Sequence, residues 1–180
     1  TQNDTVSVSM FAALPALRKL QLPNSVKVIE ANAFSESSNL IQLSLPDELK
    51  EVAPSVHCLA LEDVFISDIN PYYHTEDGLL YNKSGETLIW YPQGKQTEEL
   101  ALSPTLKAID AYALEGYLVK SLIIPSSVEK IGVYAFANST RIHNYSRQGS
   151  PYRKRNISEQ QPTEGDYIGQ ICRISLSILF

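Results

Sequence analysis

The sequence predicts a repeat solenoid of the α/β class, with about five units of 23 residues, one inserted β-hairpin and a C-terminal tail outside the repeats. The first observation behind this prediction is that the pattern Leu-x-x-Leu-x-Leu-Pro of residues 17–23 returns at residues 40–46. The second is that the apolar pair at residues 10–11 is matched at residues 33–34, at the same spacing. One such unit cannot bury its own apolar edge, whereas stacked copies bury a continuous core.

Each unit opens with a short strand. Alternate residues of a strand face opposite sides, so we expect Leu20 and Leu22 to point into the stack and Gln21 to point out. Pro23 has no N–H to donate and ends the strand. A period of 23 residues lies within the range of leucine-rich repeats, in which each unit supplies one strand and one helical or irregular return. The strand pattern recurs at residues 61–67, in a unit two residues shorter, and at 100–109 and 119–125.

An apolar pair in each return segment is predicted to fill the gap between successive coils. It reads Ala-Phe at residues 33–34, Ala-Leu at 113–114 and Ala-Phe at 135–136. The small residue permits close approach and the large one packs between coils. Phe136→Ala is therefore expected to cost about 3–5 kcal/mol through the cavity that it leaves.

The insertion at about residues 70–98 is predicted to be a β-hairpin. Two apolar runs, 79–81 and 87–91, flank residues 82–86, which have the composition of a turn. Aromatic residues are concentrated here, and two interpretations stay open: the rings pack the hairpin against the solenoid, which is favoured, or they bind a ligand. The rings are those of Tyr72, Tyr73, Tyr81, Trp90 and Tyr91.

Residues 22–34 and 124–136 resemble the unit of the BspA-like leucine-rich repeats, Leu-x-x-Leu-x-Leu-Pro-x-Ser-Val-x-x-Ile-x-x-x-Ala-Phe. The resemblance covers residues 10–146, and residues 77–83 resemble an insertion that such proteins place between repeats. It implies a secreted or surface-displayed protein of a host-associated bacterium, with an extracellular location and adhesion to host proteins or cells. It implies no catalytic residues. We accordingly divide the chain into a solenoid at 1–146 and a non-repeat tail at 147–180.

Charge is distributed unevenly along the chain. The formal net charge is −5, made of −8 over residues 1–140 and +3 over 141–180. An acidic repeat body argues against a nucleic-acid partner. The basic stretch at 141–155 is interpreted as a solvated loop, with a weak polyanion site as the alternative. No apolar run is long enough for a transmembrane segment.

The outward positions of the strands are the predicted recognition surface. Most of them are small or polar, but Phe65 and Ile123 are large and apolar at positions that should face solvent. A hairpin folded beside them would join them into one patch. The candidate binding residues are Lys19, Gln21, Gln42, Ser44, Asp63, Phe65, Ile123, Tyr73, Tyr81, Trp90 and Tyr91.

Residues that could carry catalysis are scattered. His57, His74 and His143 lie in separate units, and Cys58 and Cys172 form no metal-binding pair, so we expect no cofactor, no metal and no enzymatic activity. The sequence favours a binding module that recognises a protein or cell-surface ligand. The alternatives are a carbohydrate-binding module whose hairpin rings stack on a glycan, and a structural spacer within a larger surface protein.

Both ends of the chain depart from the regular repeat. Val6 aligns with Ile29, which indicates that the chain starts partway through a unit of a longer array. Residues 172–180 alternate between apolar and mostly polar side chains, which predicts a strand. We expect this strand to cover the open end of the solenoid or to pair with a second copy of the chain.

Overall fold

The computed structural model describes residues 4–55, 57–95, 97–117, 121–139 and 144–147. These residues form a β-solenoid of about six turns. Its strands are β1 (Thr5–Val6), β2 (Lys19–Gln21), β3 (Val28–Ile29), β4 (Gln42–Ser44), β5 (Glu51–Val52), β6 (Asp63–Phe65), β7 (Tyr73–Glu76), β8 (Leu79–Asn82), β9 (Thr87–Trp90), β10 (Glu99–Ala101), β11 (Ala108–Ile109), β12 (Ser121–Ile124), β13 (Lys130–Ile131) and β14 (Asn144–Arg147).

The strands predicted from the leucine pattern pair in parallel, one coil to the next. In the sheet β2-β4-β6, Lys19 lies opposite Gln42 and Gln42 opposite Asp63, offsets of 23 and 21 residues. The prediction that the third unit is two residues shorter is confirmed. A second sheet has the order β10-β12-β14. The count of five units is too low, because six strands of this type are described and the sixth is β14.

A shorter strand in each coil forms a second ladder. β1, β3 and β5 pair in parallel, and so do β9, β11 and β13. The predicted hairpin is confirmed as an antiparallel unit of β7, β8 and β9. β9 belongs to both arrangements, because Thr87 also pairs in parallel with Ala108 of the next coil. The insertion is thus joined to the solenoid by backbone hydrogen bonds.

The α/β class is not borne out in the described part of the chain, where no helix occurs. The returns are successive turns, and each contains residues with left-handed backbone. Asn32 and Glu36 both have φ of 61°, and Tyr134 and Asn138 have φ of 55° and 56°. A left-handed residue interrupts a right-handed helix. With such residues four positions apart, no stretch of a return is long enough for a helix.

Two apolar cores lie on either side of the hairpin. Phe11, Phe34 and Trp90 form a stack in the first core, with ring centroids 5.8 and 6.5 Å apart. The second coil carries Cys58 instead of a phenylalanine in its return, and Trp90 from the hairpin continues the stack. The predicted packing role of the apolar pairs is confirmed, since Phe34 is fully buried and Phe136 is 9% exposed.

The hairpin contributes side chains to both cores. Leu80 and Trp90 belong to the first core, whereas Tyr81, Leu88 and Tyr91 belong to the second. This part of the insertion is therefore buried on both faces and separates the two cores. The predicted strand at 172–180, with the rest of the tail from 148 onward, lies outside the described residues, as does most of the basic stretch.

Candidate functional site

The outward side chains of β2, β4 and β6 form one continuous surface, which we call the β-face. The register aligns Lys19, Gln42 and Asp63 in one row. The strand alternation places Leu43 and Val64, both fully buried, on the opposite side. The second row of the β-face consists of Gln21, Ser44 and Phe65.

Phe65 is the large apolar side chain of the β-face, and 43% of it is exposed. Its backbone is held in the sheet by a 2.7 Å hydrogen bond from the N–H of Leu45 to the carbonyl of Phe65. Its neighbours in the row are polar and shorter. The prediction that Phe65 faces solvent is confirmed.

The second predicted exception, Ile123, lies elsewhere. It is a residue of β12, opposite Ala101, and it is only partly buried. Phe65 and Ile123 therefore belong to two different sheets, and the structure does not bring them together in one strand ladder. The patch expected between them and the hairpin rings is not formed by Tyr81, Trp90 or Tyr91.

These three hairpin rings are buried, with exposed fractions of 6% for Tyr81, 2% for Trp90 and 1% for Tyr91. Burial raises the pKa of the Tyr81 hydroxyl to about 12. The Tyr91 ring packs edge-on against Tyr117 at 4.8 Å, and its hydroxyl donates a 2.9 Å hydrogen bond to the Lys95 carbonyl. A buried ring offers no face to a ligand. We therefore remove these three residues from the candidate surface, and the packing interpretation accounts for them.

The hairpin covers the edge of the β-face formed by β6. The N–H of Val64 donates a 3.0 Å hydrogen bond to the carbonyl of Gly78, in the turn between β7 and β8. Gly78 has φ of +76°, and a Cβ at this position would lie 2.3 Å from Oδ1 of Asp63, so the turn requires glycine. Lys95 adds an ion pair to Asp63 at 3.6 Å. A ligand can thus contact the side chains of the β-face, but this edge is closed to strand addition.

A hollow of about 410 Å³ lies beyond the carboxyl ends of β2, β4 and β6. Two of its apolar side chains are prominent, with 74% of Ile69 and 49% of Tyr72 exposed. Sequence reasoning missed this hollow. A usable signal was the apolar Ile69 at the turn position where the two preceding units carry Ser25 and Glu48. The lining residues are Asn24, Asp47, Glu48, Lys50, Ile69, Pro71 and Tyr72.

Asn70 fixes one wall of the hollow. Its side chain is fully buried, and its Nδ2 donates 2.9 Å hydrogen bonds to the carbonyls of Asp47 and Leu49. Its Oδ1 accepts 2.8 Å hydrogen bonds from the N–H groups of Tyr72 and Tyr73. All four hydrogen-bonding positions of the amide are therefore used. Tyr73, another predicted binding residue, is partly buried, and its hydroxyl donates to the Lys50 carbonyl at 2.9 Å.

A second exposed aromatic surface was also missed. The rings of Tyr112 and Tyr134 stack with centroids 5.3 Å apart, and 40% and 44% of these residues are exposed. Both have positive φ, at the return position occupied by Asn32 in an earlier coil. Bulky residues rarely adopt this backbone conformation, which costs about 1–3 kcal/mol. The sequence signal was the Tyr that precedes the pairs at residues 113–114 and 135–136, where Asn32 precedes the pair at 33–34.

The side chains of Cys58 and His74 make contacts within the fold. Cys58 is buried, burial raises the pKa of its thiol to about 12, and its Sγ donates to the Phe34 carbonyl. His74 stacks on Tyr81 at 5.5 Å. Within the described ranges, no three His, Cys, Asp or Glu residues are grouped closely enough to hold a metal ion. No helix in the same part of the chain is long and apolar enough to span a bilayer.

Comparison with protein families gives a match to the BspA type leucine rich repeat region, in six copies over residues 3–76 and 92–154. Among solved structures, the pneumococcal vaccine antigen PcpA is 25% identical, with a TM-score of 0.60 over 72% of this chain. A leucine-rich repeat protein from Eubacterium ventriosum is 18% identical, with a TM-score of 0.58 over 78% of this chain. A leucine rich cell surface protein from Faecalibacterium prausnitzii is 20% identical, with a TM-score of 0.58 over 73%.

The chain corresponds to only part of these proteins. The matched regions cover 39% of the pneumococcal antigen, 50% of the Eubacterium protein and 42% of the Faecalibacterium protein. No curated protein matches the chain. The repeat architecture is thus shared with proteins that are longer than this chain.

Proposed function

The chain belongs to the BspA-type leucine-rich repeat family, and on this basis we propose that it is a non-enzymatic binding module that recognises a host or cell-surface protein through the β-face. We place this activity outside the cell. The resemblance to BspA-like proteins and the likeness to a pneumococcal vaccine antigen support that location.

The exposure of Phe65 is the observation that carries the proposal. An aromatic side chain contributes a large apolar area when a partner covers it. Residues that dominate binding are typically aromatic, and polar neighbours that exclude water surround them. Ser44 and Gln42 on the adjacent strand β4, and Gln21 on β2 beyond it, supply such a polar surround.

The hairpin turn on the β6 edge limits how a partner can bind to the β-face. Because the hairpin turn at Gly78 occupies the N–H of Val64, recognition at the β6 edge uses side chains and not added backbone pairing. Solenoids commonly bind through such an extended row of side chains. Lys19 and Asp63, in the other row of the β-face, add one positive and one negative charge to this surface.

The test is surface plasmon resonance against immobilised extracellular-matrix proteins, including fibronectin, laminin and collagen. We expect the wild type to bind at least one of them. Phe65→Ala should weaken the binding free energy by about 2 kcal/mol, which raises Kd about thirtyfold. Leu59→Ala is the matched control, because Leu59 is also apolar and 62% exposed but lies outside the β-face. Absence of wild-type binding, or equal losses in both variants, would reject the proposal. Trp90→Ala is unsuitable as a binding test because Trp90 is buried.

A further inference from the structure

The hollow beside Tyr72 has features of a ligand site that the β-face proposal does not use. Its volume of about 410 Å³ falls within the range of small-molecule sites. Apolar groups, from Ile69, Pro71 and Tyr72, line one side. Polar side chains from the two preceding coils line the other.

The walls of the hollow are fixed before any ligand arrives. The Asn70 side chain holds the wall at residues 69–73 onto the turn that contains Asp47. On the other side, Asn24 and Asp47 exchange two hydrogen bonds, from Asn24 Nδ2 to Asp47 Oδ2 at 3.1 Å and from Asp47 N–H to Asn24 Oδ1 at 3.2 Å. A preformed site loses less entropy when it binds.

The charges around the hollow balance. Asp47 and Glu48 contribute two carboxylates, and Lys50 contributes one ammonium group. The ammonium group of Lys27 lies 3.6 Å from Glu48 and supplies the second positive charge. A strongly anionic or cationic ligand would find no matching excess of charge here. The surface suits a neutral ligand that offers many hydrogen-bonding groups.

We propose that this hollow binds a neutral saccharide, with the Tyr72 ring stacked on one sugar face and the polar wall bonded to its hydroxyl groups. A hydroxyl group both donates and accepts hydrogen bonds. It can therefore donate to the carboxylates of Asp47 and Glu48 and accept from the ammonium group of Lys50. The half-exposed ring of Tyr72 supplies the flat apolar surface. This site is independent of protein binding at the β-face.

The test is binding of the fluorescently labelled chain to a printed array with neutral, sialylated and sulfated oligosaccharides. We expect the wild type to bind neutral oligosaccharides. Tyr72→Ala should lower the affinity about tenfold or more, and Tyr72→Phe, which keeps the ring, should retain it within about twofold. Ile69→Ala, at a residue 74% exposed, is a second variant on the same wall with little risk to folding, and we expect a weakened signal.

Two control variants separate this site from other surfaces. Tyr134→Ala removes a tyrosine of similar exposure outside the hollow and should leave the array signal unchanged. Phe65→Ala should also retain it, so that failure of the β-face proposal is distinguishable from failure of this one. Absence of neutral-glycan binding by the wild type, binding confined to the sialylated or sulfated arms, or an unchanged signal in Tyr72→Ala would overturn the proposal.

Discussion

Strands β8 and β9 of the inserted hairpin bury their aromatic residues, whereas the regular coils carry both buried and exposed ones. In the insertion, Tyr81, Trp90 and Tyr91 are buried between two cores. On the coils, Phe65, Tyr112 and Tyr134 carry 40–44% exposure. The difference shows that aromatic content alone does not locate a recognition surface, because an insertion with two buried faces needs large rings to fill both sides.

Tyr72 marks the boundary between these two regions. It lies at the start of the insertion, next to the partly buried Tyr73, but its own ring borders the hollow formed with the preceding coils. The Asn70 side chain makes this boundary rigid. The candidate saccharide site is therefore located where the coils meet the insertion.

The largest effects are expected from the hairpin side chains that fill the cores. Trp90→Ala should lower the free energy of unfolding by about 3–5 kcal/mol, because it leaves a large cavity beside Phe34. Tyr91→Ala should be comparably destabilising, but through the second core, where it packs on Tyr117. Denaturant unfolding measures both losses.

Hydrogen exchange by mass spectrometry distinguishes the two variants. Trp90→Ala should increase exchange most at the buried Leu43, and Tyr91→Ala most at the buried Leu114. If both variants increase exchange in the same core, or if neither is destabilised, the hairpin does not separate two cores.

An intermediate effect is expected at the boundary. Asn70→Ala removes four hydrogen bonds and leaves the buried carbonyl of Leu49 and the partly buried carbonyl of Asp47 without their donor, so it should cost about 3 kcal/mol. Asn24→Ala, at an exposed residue with two hydrogen bonds to Asp47, should cost about 1 kcal/mol or less. Thermal or denaturant unfolding of the pair provides the comparison, and equal losses would show that Asn70 does not act as a clamp.

The smallest effect concerns the link between the end of the hairpin and the next coil. Gln93 donates to the Glu115 carbonyl, and the Glu115 carboxylate accepts a 3.0 Å hydrogen bond from Asn138. Burial raises the pKa of this carboxyl group, while the hydrogen bond from Asn138 and the charge of His57 partly oppose the rise. The folded state therefore retains a proton that the unfolded state releases near pH 4.3.

It follows that the contribution of Glu115 to stability is complete below the unfolded pKa and is lost as the pH rises through the higher folded pKa. Glu115→Gln keeps an oxygen acceptor for Asn138 and does not titrate. We expect unfolding at a series of pH values to show a smaller decline above pH 4.3 in this variant than in the wild type. An identical or steeper decline of the free energy of unfolding in Glu115→Gln would show that Glu115 is not the group responsible.

Much of the fold was predictable because it depends on a local periodic pattern. The period of residues 17–23 and 40–46 set the strand register, and the shortened third unit was visible as two missing residues. The hairpin was predictable from two apolar runs around a polar turn. The absence of helix in the described returns was not, because it depends on left-handed backbone at residues such as Tyr112, whose side chain does not favour it.

The candidate site was only partly predictable for a physical reason. Strand alternation identified the β-face and Phe65, where one side of the sheet is buried and the other is solvated. The same rule failed for Trp90, because both faces of β9 are covered. The hollow depends on hydrogen bonds from Asn70 to residues 21 and 23 positions earlier, which no local pattern contains.

The central claim is that the hairpin rings hold the molecule together and do not form its binding surface. Trp90 is the single tryptophan of the chain, so intrinsic tryptophan fluorescence reports on this residue alone. We predict a blue-shifted emission, weak quenching by iodide, and a red shift with full quenching when the chain unfolds. A native emission that resembles free tryptophan, with quenching to the same extent as in the unfolded chain, would contradict the account.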